Sequence, residues 1–137
     1  MDKKKIIILI ILGIFLCFSA AIYFNSKKVN ENTVNIYIFR GEGCPHCAAE
    51  MKYLNTLKDI YKNKVNIIDY EVWYNQENAE KLNKVSEKIG INIDGVPFTI
   101  IGDKYFSGYS EGLNDEIKKI IEDNIHNDIP QIMDSIN

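Results

Sequence analysis

The sequence has little of what several functional classes need. Three cysteines in 137 residues are too few for a disulfide-stapled scaffold. Basic residues do not predominate: the formal net charge is −3, so a nucleic-acid-binding surface has no compositional support. No internal repeat and no low-complexity tract is present. Hydrophobic residues at 46% and charged residues at 26% exclude wholesale disorder, and the length allows one ordinary domain. Soft metal ligands are scarce. Outside one close cysteine pair, only Cys17 and His126 stand where a zinc site needs further ligands, so neither a metal nor another cofactor is expected.

What is present divides unevenly along the chain. Ile6 to Phe24 (IIILIILGIFLCFSAAIYF) is 19 residues without a charge, preceded by Lys3, Lys4 and Lys5 and closed by Lys27 and Lys28. As a helix it would span about 28 Å, the thickness of a bilayer's hydrocarbon core. Residues 1–24 thus read as an N-terminal transmembrane anchor. The alternative is a signal peptide cleaved near Ser19-Ala20-Ala21, which would release a secreted protein. Cys17 follows the bulky Phe15 and Leu16, which argues against a lipoprotein signal. The lysine bias across the span is weak, but short N-terminal tails of single-span proteins usually stay inside, so the folded part is expected to be extracytoplasmic. Gly13, Cys17 and Ala21 form a small-residue stripe that would allow a weak anchor-mediated dimer.

Residues 25–33 (NSKKVNENT) read as a linker reaching about 30 Å when extended. From Asn25 onward, 13 Lys and Arg stand against 18 Asp and Glu. The segment 34–126 carries the folded domain. Val34–Phe39 (VNIYIF), with its β-branched and aromatic residues, predicts a strand, broken by Arg40-Gly41-Glu42-Gly43. Met51, Leu54, Leu57 and Tyr61 at helical spacing predict a helix over Pro45–Lys62. A second strand follows at Lys64–Val72, then a helix over Gln76–Ile89 capped by Gly90. Phe98–Ile101 and Tyr105–Ser107 flank a turn and predict a strand hairpin, and Leu113, Ile117, Ile120, Ile121 and Ile125 mark a last helix. The order β-α-β-α-β-β-α predicts an α/β fold with a four-stranded mixed sheet covered by helices on both faces. For the tail, 127–137, two readings stand: a loosely packed terminus, or a short helix capped by Asp128 with Pro130 in its first turn, presenting Ile129, Ile132, Met133 and Ile136 to a partner.

The chemistry lies in Cys44-Pro45-His46-Cys47, between the first strand and its helix. On a first helical turn the two sulfurs come within bonding distance. Cys44, at the helix cap, faces unpaired backbone N–H groups and the positive end of the helix dipole, which favour a thiolate. Cys47, one turn in, is more shielded. One exposed nucleophile and one resolving neighbour are what dithiol exchange requires. Pro45 suits the first helical position. His46 can add positive charge beside Cys44, stabilising the reduced form and making the disulfide a stronger oxidant. A haem attachment site would need histidine where Ala48 stands. A purely structural bridge over three residues would stabilise little.

Cys44-Pro45-His46-Cys47 after the first strand, with Gly95-Val96-Pro97-Phe98-Thr99 some fifty residues later, resembles the thioredoxin-like superfamily over about residues 34–125. The resemblance implies a minimal thioredoxin-like fold and a redox-active Cys44–Cys47 disulfide. It also implies a cis-proline at Pro97 that faces the cysteines and bars metal, and a Val96 backbone that binds extended substrate. The C-P-H-C tetrapeptide is similar to that of DsbA-type oxidants, although the helical insert of those proteins has no room here. The buried acid that such proteins keep six residues before the first cysteine is replaced by Ile38; Glu42 and Glu50 are the candidate substitutes.

The expected function is therefore a membrane-anchored, extracytoplasmic thiol–disulfide oxidoreductase acting on protein thiols, in the oxidising direction, and recharged by a membrane redox partner. Cys44 exchanges, Cys47 resolves, His46 tunes, and Val96, Pro97 and Pro45 meet the substrate. A tethered reductant and a redox-inactive binding module at the membrane are the alternatives. Trp73 and Tyr74, after the second strand, read as core or rim rather than a substrate platform, Asp69 and Glu71 as a polar sheet end, and His126 as a surface residue.

Overall fold

A computed structural model describes residues 1–25 and 32–136, with side chains described for 1–16 and 32–136. The chain divides into two units, Met1–Asn30 and Glu31–Asn137.

The first unit holds α1 (Lys3–Asn25). Its large apolar side chains from Ile7 to Ile14 are more than half exposed. Among the described residues, no helix is long and apolar enough to cross a membrane. The rest of the expected span, the Gly13–Cys17–Ala21 stripe beyond Gly13, and the Ser19-Ala20-Ala21 cleavage site lie outside the described side chains.

The second unit runs β1 (Val34–Arg40), α2 (Pro45–Tyr61), β2 (Val65–Glu71), α3 (Gln76–Ile89), β3 (Phe98–Ile101), β4 (Lys104–Ser107) and α4 (Asn114–His126). The sheet order is β2-β1-β3-β4. β1 and β2 are parallel, in register from Val34↔Val65 to Arg40↔Glu71, while β3 is antiparallel to β1 and β4 to β3. This is the α/β thioredoxin-like architecture expected from the motif order, with strand limits within a residue of those read from the sequence.

Alternation along β1 sends side chains to two cores. Val34, Ile36 and Ile38 meet Leu54 and Leu57 of α2 and Ile117, Ile121 and Ile125 of α4. Phe39, with Phe98 and Ile100 of β3, meets Val85 of α3 on the other face. Each such buried side chain contributes roughly 1.5–3 kcal/mol of transfer free energy. The helix ends are chemically closed. Asn75 caps α3, its side chain accepting the Asn78 N–H at 3.1 Å, and Gly90 ends that helix at φ 70°, a conformation glycine adopts without steric cost.

The tail lies against the domain. Residues 127–131 form no helix, and only a 3-10 turn develops, at Ile132–Ser135. Met133 and Ile136 are buried in the core with Phe39 and Phe98, and the Ile132 N–H donates to Gly102 O at 2.9 Å. Of the expected apolar row, Ile132, Met133 and Ile136 pack on this domain's second core.

Candidate active site

The site forms where β1 ends. Gly41–Gly43 turn the chain, Gly43 at φ 79°, and Cys44 becomes the N-cap of α2 with Pro45 at the first helical position. Cys44 and Cys47 form a disulfide with a Cα–Cα separation of 5.3 Å, inside the usual range. Cys44 Sγ also accepts the backbone N–H of Cys47 at 3.2 Å, one of the orphan donors of a helix start. Cys44 keeps 7% of its surface exposed against 1% for Cys47. Both are buried, and Cys44 is the less shielded of the two. Pro45 and His46 are both exposed on the outer side of the turn.

β3 brings the second expected element. Because Phe39 pairs with Phe98 in antiparallel register, the residues just before β3 arrive at the end of the sheet where β1 leads into the cysteines. The Val96–Pro97 bond is cis. Val96 O lies 3.9 Å from Cys44 Sγ, and buried Pro97 accepts the Gly108 N–H at 2.8 Å. Cys44, Cys47, Pro45, His46, Val96 and Pro97 are thus brought to one end of the sheet.

Of the two candidate acids, one is buried. Ile38 is fully buried on β1 opposite Thr99. Glu42 is exposed and paired with Arg40 at 3.0 Å. Glu50, three residues after Cys47 on the same face of α2, is fully buried. Neither of its carboxyl oxygens, nor the buried Thr99 hydroxyl, has a hydrogen-bond partner. Burial pushes the Glu50 carboxyl up to about 7, with the Thr99 hydroxyl acting the other way. A carboxyl held near neutrality one helical turn from a cysteine pair can both give and take a proton there.

A cleft of about 480 Å³ opens beside the disulfide, lined by Arg40, Gly41, Glu42, Cys44, Met51 and Asp69 among others. Arg40 Nε donates to Asp69 at 2.7 Å and its Nη1 to Glu42 at 3.0 Å. Glu71, read from the sequence as a polar strand end, does more. Its carboxylate accepts the backbone N–H groups of Glu42, Trp73, Tyr74 and Asn75 at 2.9–3.3 Å. Some desolvation opposes ionisation, yet these four bonds hold the Glu71 carboxyl below the usual range. Trp73 and Tyr74 are exposed, not core. Trp73's ring lies so close over Gly41 that a Cβ there would collide with it. The parallel register Arg40↔Glu71 was the signal for this proximity, available once β1 and β2 are paired. His126 is exposed at the end of α4. Among the described residues, no three His, Cys, Asp or Glu side chains gather where they could hold a metal ion.

No protein-family model matches the sequence, and no curated protein does. Among solved structures, a protein of Agrobacterium tumefaciens is similar in fold, with a TM-score of 0.52 at 21% identity over 69% of this chain and 48% of that one. This chain therefore spans about half the length of that protein. Thioredoxin-2 of the malaria parasite aligns with a TM-score of 0.49 at 18% identity, covering 64% of this chain and 84% of that one. A mutant thioredoxin of Halobacterium salinarum aligns with a TM-score of 0.49 at 18% identity, covering 72% and 80%.

Proposed function

We propose that this chain is a thiol–disulfide oxidoreductase that passes the Cys44–Cys47 disulfide to protein thiols. The observation that carries the reading is one juxtaposition. A cysteine pair opens a helix, its more exposed member capping that helix, and Val96 O of a cis-prolyl segment stands 3.9 Å from the reactive sulfur. In the oxidising direction, a substrate thiolate attacks Cys44 Sγ. The Cys44–Cys47 bond breaks as the mixed disulfide forms, and the electron pair leaves on Cys47 Sγ, which takes up a proton. A second substrate thiolate then attacks the substrate sulfur of the mixed disulfide and releases Cys44 as a thiolate. Two substrate thiols become one disulfide, and two electrons pass to the cysteine pair.

Support for this direction comes from the Cys47 N–H on Cys44 Sγ. A donor at a helix start stabilises the thiolate, hence the reduced pair, and makes the disulfide more oxidising. Reoxidation then needs a separate electron acceptor, for which a membrane redox partner is the expectation. Membrane attachment and an extracytoplasmic location belong to the same proposal. Their support is the uncharged run Ile6–Phe24 between lysines, together with the persistence of disulfides outside the cytosol.

The test is equilibration of the full chain with glutathione, read with two variants. A reduction potential near about −120 mV, the DsbA range, supports the oxidant, and one near about −270 mV, the thioredoxin range, makes the protein a reductant. Cys44→Ser should abolish exchange, and Cys47→Ala should trap mixed disulfides through Cys44. Absence of both effects would leave a binding module without redox chemistry.

A further inference from the structure

We infer that Trp73 and Tyr74, with the adjoining cleft, form the docking rim for the substrate segment that carries the reacting cysteine. The segment it fits is an extended peptide bearing an aromatic or large apolar side chain and a basic side chain close to that cysteine. The inference rests on the oxidoreductase reading and names the substrate class of that site.

Exposure comes first. Trp73 is 55% and Tyr74 83% exposed, and adjacent exposed aromatics are the residue types that anchor peptide contacts. The other large apolar side chains exposed in this unit, Ile60 and Tyr105, stand apart from each other in sequence, on α2 and β4. Position comes second. Val72 N–H donates to Arg40 O at 2.8 Å, extending the parallel pairing past both strand ends, and Trp73 lies on Gly41, three residues before Cys44. Gly41 also lines the cleft that contains Cys44, so the Trp73 ring, with Tyr74 next to it in sequence, stands at the border of that cleft.

The rim is pre-ordered. The Glu71 carboxylate ties the backbones of Trp73, Tyr74 and Asn75 to that of Glu42. Aromatic side chains on a fixed backbone lose little conformational entropy when a partner lands on them. Charge then selects the partner. Among the described residues that line the cleft, Arg40 is the one cation, and it is already engaged by both Glu42 and Asp69. Glu42 still leaves 68% of its side chain to solvent. Residues 25–137 carry five more acidic than basic side chains. A basic residue on the substrate gains from this field and an acidic one is repelled.

Trp73 is the chain's single tryptophan, so its fluorescence reports on the rim directly. The oxidised full chain, held in detergent, is titrated with a peptide of about ten residues carrying Phe and Lys on either side of a serine in place of the cysteine. The expected result is a saturable change in Trp73 emission. Affinity should fall about fivefold when the peptide's Phe becomes Ser, and by a similar factor when its Lys becomes Glu or when Tyr74→Ala is introduced. With the cysteine restored to the peptide, Tyr74→Ala and Trp73→Phe should lower the ratio of peptide exchange rate to dithiothreitol exchange rate. Equal binding of the Phe–Lys peptide and its Ser–Glu counterpart would overturn the inference, as would affinities and rate ratios indifferent to both variants. Specific binding of the Phe–Lys peptide with no exchange of any thiol would support the rim and overturn the oxidoreductase reading instead.

Discussion

Glu50 sits one helical turn beyond Cys47 on the buried face of α2, and neither of its carboxyl oxygens is hydrogen-bonded. Leaving a carboxyl unpaired in the interior costs stability, and a Leu at this position would pack with Leu54 and Leu57 at no such cost. On the proposed oxidoreductase reading, the arrangement suits a centre where Cys47 gains a proton when the disulfide opens and loses one when it closes. Glu50 is in this reading a positioning residue for that proton. The rate of reduction of the Cys44–Cys47 disulfide by dithiothreitol, once corrected for thiolate concentration, should show an inflection near pH 7 in the wild type. Glu50→Gln should remove it. An inflection that survives the substitution sinks the assignment.

Stability should carry the same signature. The folded protein holds the Glu50 proton more tightly than the unfolded chain does, because its carboxyl is raised from 4.5 to about 7. The contribution is therefore fully present below about pH 4.5 and is lost as pH rises through about 7. The full swing is about 3 kcal/mol. Urea unfolding of the wild type and Glu50→Gln across pH 4 to 8 should give a difference that moves in the variant's favour as pH rises and levels off above about 7. A constant difference would mean that Glu50 binds its proton equally in the folded and unfolded chain.

Met133 reports on the tail. Its side chain is 3% exposed and packs with Phe39, Val85, Phe98 and Ile100, so Met133→Ala opens a cavity rather than loosening a surface strand. The expected loss is about 2–4 kcal/mol in urea unfolding, against a few tenths for a frayed terminus. A loss near zero would return the tail to the surface.

The order of elements and the cysteine pair were legible because both rest on local signals: β-branched runs, helical apolar spacing, and a Cys-Pro-His-Cys at a strand end. The Val96–Pro97 element was legible through resemblance, and the antiparallel register Phe39↔Phe98 explains why it meets the cysteines. Glu50 was half legible. Cys47, Glu50, Leu54 and Leu57 share one helical face, but the apolar stripe drawn through Met51 and Tyr61 hid a carboxyl on the buried side. The tail's Ile-Met-Ile spacing fits a helix turn or a core contact equally well, and only packing decides. Glu71's four backbone partners come from segments on both sides of a parallel pairing, so no local pattern announces them.

Glu71 gives a second pH test, of opposite sign to Glu50. Its carboxyl is held below the ordinary range by backbone N–H donors, so what it contributes is present above the unfolded value and is lost as pH falls through the folded one. On acidification the 73–75 loop should loosen before the sheet unfolds. Amide hydrogen exchange at Trp73, Tyr74 and Asn75 should therefore rise at acid pH relative to that of β1. Glu71→Gln, which keeps one acceptor oxygen and loses the charge, should raise it already at neutral pH. Protection unchanged in that variant would mean the loop is held by other contacts.

Gly41 and Trp73 form a coupled pair. A Cβ at position 41 meets the six-membered ring of Trp73, and the ring cannot retreat without leaving the loop that Glu71 pins. Gly41→Ala should therefore cost about 1–3 kcal/mol and alter Trp73 emission, although position 41 needs no positive φ. The cost is steric and belongs to the pair, so it should largely vanish in a Trp73→Ala background. In a double-mutant cycle read by urea unfolding, the coupling should account for most of the Gly41→Ala penalty. Strict additivity would show that alanine at position 41 acts on the turn into Cys44 itself, and the contact would then no longer explain why glycine stands there.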